Sequence, residues 1–66
     1  MKITFERNVD CDYYDHRFDE MYPKFFRKWD QVKAENIEPE GLMVNIVLHD
    51  GDTIMNVPRA AIKIGA

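Results

Sequence analysis

Two apolar runs, LMVNIVL and TIMNV, are separated by His49-Asp50-Gly51-Asp52. Asp-Gly between such runs is a strong tight-turn signal, because these residue types tolerate the positive φ that a two-residue β-turn requires. The sequence therefore predicts a β-hairpin, with Asp50 and Gly51 as its turn residues. The register then follows: His49 faces Asp52, Leu48 faces Thr53, Val47 faces Ile54, Ile46 faces Met55, Asn45 faces Asn56 and Val44 faces Val57. One face, Val44, Ile46, Leu48, Thr53, Met55 and Val57, is the drier and is expected to point to the core. Met43, Val47 and Ile54 fall on the wetter face, where they would leave a modest apolar patch.

A hairpin alone is marginal in water and needs a partner layer. Upstream, Ile3 and Phe5 alternate with Lys2, Thr4 and Glu6, the period of a half-buried strand. Between that strand and the hairpin, Phe18, Tyr22, Phe25, Trp29 and Val32 recur at spacings of four, three, four and three residues. That is the stripe of an amphipathic helix between about Asp12 and Asn36, with Glu20, Lys24, Arg27, Lys28 and Gln31 opposite. Asp12 is a candidate N-cap. Pro23 opposes an uninterrupted helix, because it lacks the backbone donor and clashes with the preceding turn. Either the helix is kinked there, or its main part starts between Asp19 and Pro23. The second is favoured, because proline suits a first turn. Pro39 and Gly41 then break the helix, Pro58 ends a strand, and Ile62 and Ile64 form a short last strand after a turn at Arg59 to Ala61.

The expected fold is α+β: one domain over residues 1–66 in two layers, a main helix on an antiparallel sheet of three to four strands, in the order β-α-β-β. With 66 residues, only about 60% of the unfolded chain's surface is buried on folding, so the core is modest and a deep cleft is not expected. Hydrophobic residues at 45% and aromatics at 12% are enough to fold. Cys11 is the single cysteine, which rules out an internal disulfide and fits a reducing compartment. No apolar run approaches a membrane span, and MKITFERN has no signal-peptide core, so a cytoplasmic protein is expected.

Candidate chemistry is sparse. Asp10, Cys11, Asp12, Asp15, His16, Asp19 and Glu20 form a dense polar cluster, and Asp12 and His16 would lie one helical turn apart. No complete metal-ligand spacing is present, however, so no metal or cofactor is assigned. Cys11 as a nucleophile would need His16 or His49 as its base. A His49–Asp52 pair across the hairpin reads as turn stabilisation. No catalytic residues are assigned, and the chain is not read as an enzyme.

The functional expectation is a small non-catalytic module that binds another protein. An accessory or inhibitor protein of the kind phages and mobile elements encode fits by size alone. Its contact surface is placed at Asp12, Tyr13, Asp15, Asp19 and Glu20, because acids beside exposed tyrosines resemble interface composition. The alternative is a nucleic-acid accessory using Lys24, Arg27, Lys28 and Lys33 on a basic helix face interleaved with aromatics. A net charge of −3 weighs against it. A small metal-dependent enzyme using Asp12, His16 and their neighbours ranks third. A part-apolar outer sheet face also leaves room for a homodimer.

Overall fold

The computed structural model describes residues 1–65. These form seven strands and one short 3₁₀ turn: β1 (Lys2–Phe5), β2 (Val9–Asp15), β3 (Glu20–Phe26), β4 (Gln31–Glu40), β5 (Met43–Leu48), β6 (Thr53–Pro58), η1 (Arg59–Ala61) and β7 (Ile62–Gly65). The α+β expectation is overturned. Every strand pairing is antiparallel, in a sheet of order β3-β2-β6-β5-β4-β1-β7, and no α-helix lies among the described residues. None of those residues forms a helix long and apolar enough to cross a membrane.

The segment read as a helix is instead the end of β2, a turn, β3, a second turn and the start of β4. Its aromatic stripe does not form a core. Phe18, Tyr22, Phe25 and Trp29 are 67%, 41%, 49% and 64% exposed. The residues just before that stripe follow a period of two. Val9 and Cys11 are buried and Asp10 between them is exposed, so β2 alternates across the sheet. Asp12 caps no helix; it sits in mid-strand opposite Pro23. Pro23 is tolerated because β3 is an edge strand, where a missing N–H can face solvent.

Two hairpin turns explain the strands that follow. Gly41, at φ +64°, takes the first central position of the Gly41-Leu42 turn between β4 and β5. The β5–β6 hairpin exists, but its turn is one residue longer than expected. Leu48 N–H donates to the Asp52 carbonyl at 2.8 Å and Gly51 N–H to the Leu48 carbonyl at 3.1 Å, leaving His49, Asp50 and Gly51 in the loop. Only Gly51 has positive φ there, at +96°, whereas a two-residue type I′ turn needs it twice. The register near the turn is therefore Val47↔Thr53 and Ile46↔Ile54. A bulge at Met55–Asn56, with Asn56 at φ +62°, restores the expected Val44↔Val57 pair. Consequently Ile54 is buried, while Thr53 and Met55 move to the outer face. His49 does not pair with Asp52.

With no helix to cover it, the sheet must cover itself. It curls until Phe5 on β1 stacks on Phe26 on β3, with ring centroids 4.4 Å apart and planes 3° from parallel. The β3–β4 turn secures this closure. Phe5 N–H donates to the Asp30 carbonyl at 2.9 Å, and Trp29 N–H donates to the Phe5 carbonyl at 2.6 Å. Ile3, Phe5, Ile46, Ile54 and Val57 are the largest fully buried side chains of the enclosed core. Phe5→Ala is expected to cost about 3–5 kcal/mol, measured by chemical denaturation. A loss as small as that of an exposed aromatic such as Phe18→Ala would contradict closure through this stack.

Candidate functional site

One carboxylate organises the end of the sheet where the β2–β3 and β5–β6 turns meet. Asp52 is the only buried charged residue among those described. Its Oδ2 accepts from the Tyr13 hydroxyl at 2.6 Å. Its Oδ1 accepts from the His16 backbone N–H at 3.1 Å and lies 2.6 Å from His16 Nδ1. The Asp52 N–H donates in turn to Asp50 Oδ1 at 3.0 Å, closing the turn. The glycine of that turn has a second use, since a Cβ on Gly51 would stand 3.2 Å from His16 Cε1 and Nε2. The imidazole thus rests against bare backbone.

These bonds set the electrostatics. The Tyr13 hydroxyl, then the His16 ring, stabilise the Asp52 carboxylate and lower its pKa from 3.8 to about 2, against the opposing effect of burial. Tyr13 moves the other way, raised by burial and then by its bond to Asp52. Chemically, Asp52 holds the His16 ring in a fixed orientation, as a carboxylate does for a general base. The chain has no serine, and Cys11 lies elsewhere, buried, with its Sγ donating to the Lys24 carbonyl at 3.3 Å. Burial, with Asp12 and Asp10 nearby, pushes that thiol up to about 11, so it stays protonated at neutral pH. Asp15, His16 and Asp52 have ligand atoms within 4.8 Å of one another. A cation bound through His16 Nδ1 there would displace the 2.6 Å bond between that nitrogen and Asp52. The Tyr13–Asp52–His16 group is thus a clamp between two turns.

The second arrangement is the outward face of the sheet. One row of Cα partners crosses five strands: Met21, Tyr14, Thr53, Val47 and Asn36. Pro23, Asp12 and Met55 form a row beside it, as do Asn45 and Glu38, and Phe25 pairs with Asp10. Tyr14, Met21, Glu38, Asn45, Thr53 and Met55 line a shallow groove of about 330 Å³ on this face. Acids run through it: Asp10 and Asp12 on β2, Glu38 and Glu40 on β4. Asp12 Oδ2 accepts from Asn56 Nδ2 at 2.6 Å, and Asp10 and Glu38 are exposed. None of the chain's nine Lys and Arg residues stands among these positions; the outward Lys2, Lys33 and Lys63 lie beyond them on β1, the start of β4 and β7.

The residues expected to form one acidic-aromatic surface are split by the pleat. Asp12 points outward. Tyr13, Asp15 and Glu20 share the opposite side of the β2–β3 hairpin, where Tyr13 stacks on Tyr22 with centroids 5.3 Å apart. Asp15 Oδ1 accepts from Arg17 N–H at 3.0 Å, and Asp19 Oδ1 from the Tyr14 hydroxyl at 2.5 Å, a bond that raises the Tyr14 pKa. The alternative basic set is dispersed as well. Lys24 is on β3, Arg27 and Lys28 are in the β3–β4 turn, and Lys33 pairs with Lys2 across β4 and β1. Sequence reasoning missed Asp52 as an anchor, and Glu38 and Glu40 as companions of Asp10 and Asp12. The alternation Val9-Asp10-Cys11-Asp12-Tyr13 was the available signal for the β2 pair.

No family model matches the chain, and no curated protein or solved structure is detectably similar to it.

The clamp predicts an acid-dependent stability. A carboxylate whose folded pKa is depressed stabilises the fold above its unfolded pKa, and that contribution fades as pH falls through the folded value. Wild type should therefore be more stable than Asp52→Asn at neutral pH. The gap should close between about pH 4 and pH 2, in thermal melts across that window. A gap independent of pH would show that Asp52 contributes only packing.

Proposed function

We propose that this chain is a non-catalytic binding module whose outward sheet face docks a protein partner with a basic, apolar-anchored surface. The observation that carries the reading is the composition of that face. Four carboxylates are interspersed with Met21, Phe25, Tyr14 and Met55 across neighbouring strands, without a cation among them. Exposed methionine and aromatic side chains supply apolar contact, and carboxylates of one sign select and steer the partner. The face is laid on registered strands, which hold it in shape before binding and reduce the ordering cost of association. An accessory or inhibitor role, occupying a larger partner's basic surface, suits a chain of this size.

A second reading has one observation in its favour. Trp29 is exposed on the β3–β4 turn with Lys28 Nζ 5.1 Å from its ring centroid, and Arg27 is two residues earlier in the same turn. An exposed ring among cations is a stacking platform for single-stranded nucleic acid. It is one ring, and the remaining cations do not gather around it, so this reading ranks second.

The probe is a fluorescently labelled amphipathic Lys/Leu peptide, titrated by anisotropy at low and moderate salt. Wild type should bind it, and Asp10→Lys with Glu38→Lys should weaken binding by about tenfold or more at low salt, with the loss shrinking as salt rises. Lys28→Glu with Trp29→Ala should leave it unchanged. Equal binding by the sheet-face variant would reject this face. Salt-sensitive binding of a labelled single-stranded oligonucleotide, abolished by the turn variant, would move the function to the β3–β4 turn.

A further inference from the structure

Beside the β4–β5 turn lies an apolar cleft of about 470 Å³ lined by Arg7, Leu42, Met43, Pro58, Arg59 and Ala60. Leu42 is 87% exposed at its rim. Both arginines are exposed, neither forms a salt bridge among the described residues, and no described carboxylate lines the cleft. Its chemistry is the converse of the outward sheet face: apolar surface rimmed by cations, against apolar surface carrying Asp10, Asp12, Glu38 and Glu40. The two are contiguous. Met43 lines the cleft, and it also stands on β5 at an outward position beside the buried Val44, paired with Glu40.

We propose that the cleft receives the acidic sheet face of a second copy of this chain, so that the protein self-associates through surfaces of opposite sign. Arg guanidinium groups match carboxylates in geometry and charge, and Arg and Met are enriched where proteins meet. Because the two patches adjoin, a single two-fold rotation brings each copy's arginines toward the other's carboxylates, the commonest closed arrangement. A chain with so small a core also gains from apolar surface buried between copies. Self-association occupies the same face that the basic partner needs, so the two are mutually exclusive and the partner must displace the second copy. The inference rests on the reading of the sheet face given above.

The test is a charge swap read by sedimentation velocity at low salt over a range of concentrations. Wild type should rise toward about twice the monomer mass with concentration, and moderate salt should reverse the rise. Arg7→Glu with Arg59→Glu, and separately Asp10→Lys with Glu38→Lys, should each stay monomeric: in the first both patches are acidic, and in the second the sheet face has no net negative charge left to meet the arginines. An equimolar mixture of the two variants should associate again, which a merely unfolded variant would not do. A monomeric wild type, unchanged association of the arginine variant, or a mixture that fails to associate overturns the proposal. The Lys/Leu peptide separates the two ideas. If it binds a monomeric wild type, self-association falls and the sheet-face reading stands; if it does not bind, both fall. A monomeric wild type that instead takes up a Glu/Leu peptide, with Arg59→Glu abolishing uptake, replaces the second copy with a foreign acidic segment.

Discussion

Phe5 lies flat on Phe26, and the seven strands have an inside because these two rings meet. A single antiparallel sheet has two faces, and without a helix layer one of them must fold over on itself to escape water. The stack joins β1, near one end of the strand order, to β3 at the other end. Aromatic pairs of this kind contribute about 0.5–1.5 kcal/mol beyond the area they bury, but here the geometric effect is the larger one. The curl encloses Ile3, Ile46, Ile54 and Val57, and it leaves the other side of the sheet free to carry polar and apolar groups together.

That division explains why the two functional elements differ in character. The Tyr13–Asp52–His16 clamp sits where two turns converge and is saturated with internal bonds. Both Asp52 oxygens are engaged, and no buried side-chain nitrogen or oxygen among the described residues lacks a partner. Such a group fixes the relative position of β2 and β6. The outward face is the reverse: its carboxylates are mostly exposed, and its apolar groups lie open on strands whose positions the clamp and the core have already set.

Several elements were legible in the sequence for sound physical reasons. Ile3 and Phe5 alternate cleanly, the hairpin around Gly51 forms, and Ile62 and Ile64 fall in the last described strand. The middle of the chain was misread because β3 is an edge strand exposed on both sides. Its residues carry no period-two burial, so a coincidental four-three spacing of Phe18, Tyr22, Phe25, Trp29 and Val32 looked like a helix face. Pro23 was the residue that told against that reading, and on a sheet edge it costs little. Within the hairpin, the one-residue error came from granting Asp50 a positive φ that only Gly51 adopts. That error exchanged Ile54 with Thr53 and Met55 between faces, and placed His49 where His16 belongs. No local pattern reveals that Asp52 will meet Tyr13 and His16, since those contacts span 39 and 36 positions of chain.

The pairing of β1 has a consequence for how the protein comes into being. Its neighbours are Gln31–Lys33 on β4 and Ile62–Gly65 on β7. β1, made before the other described strands, therefore acquires its second neighbour only after nearly all the described chain has been made. Until then one edge of β1 stays unpaired, because its contacts with β7 span some of the largest chain separations among the described residues. The sheet is thus complete only once β7 is available, and until then the open edge of β1 is exposed to aggregation and to chaperones.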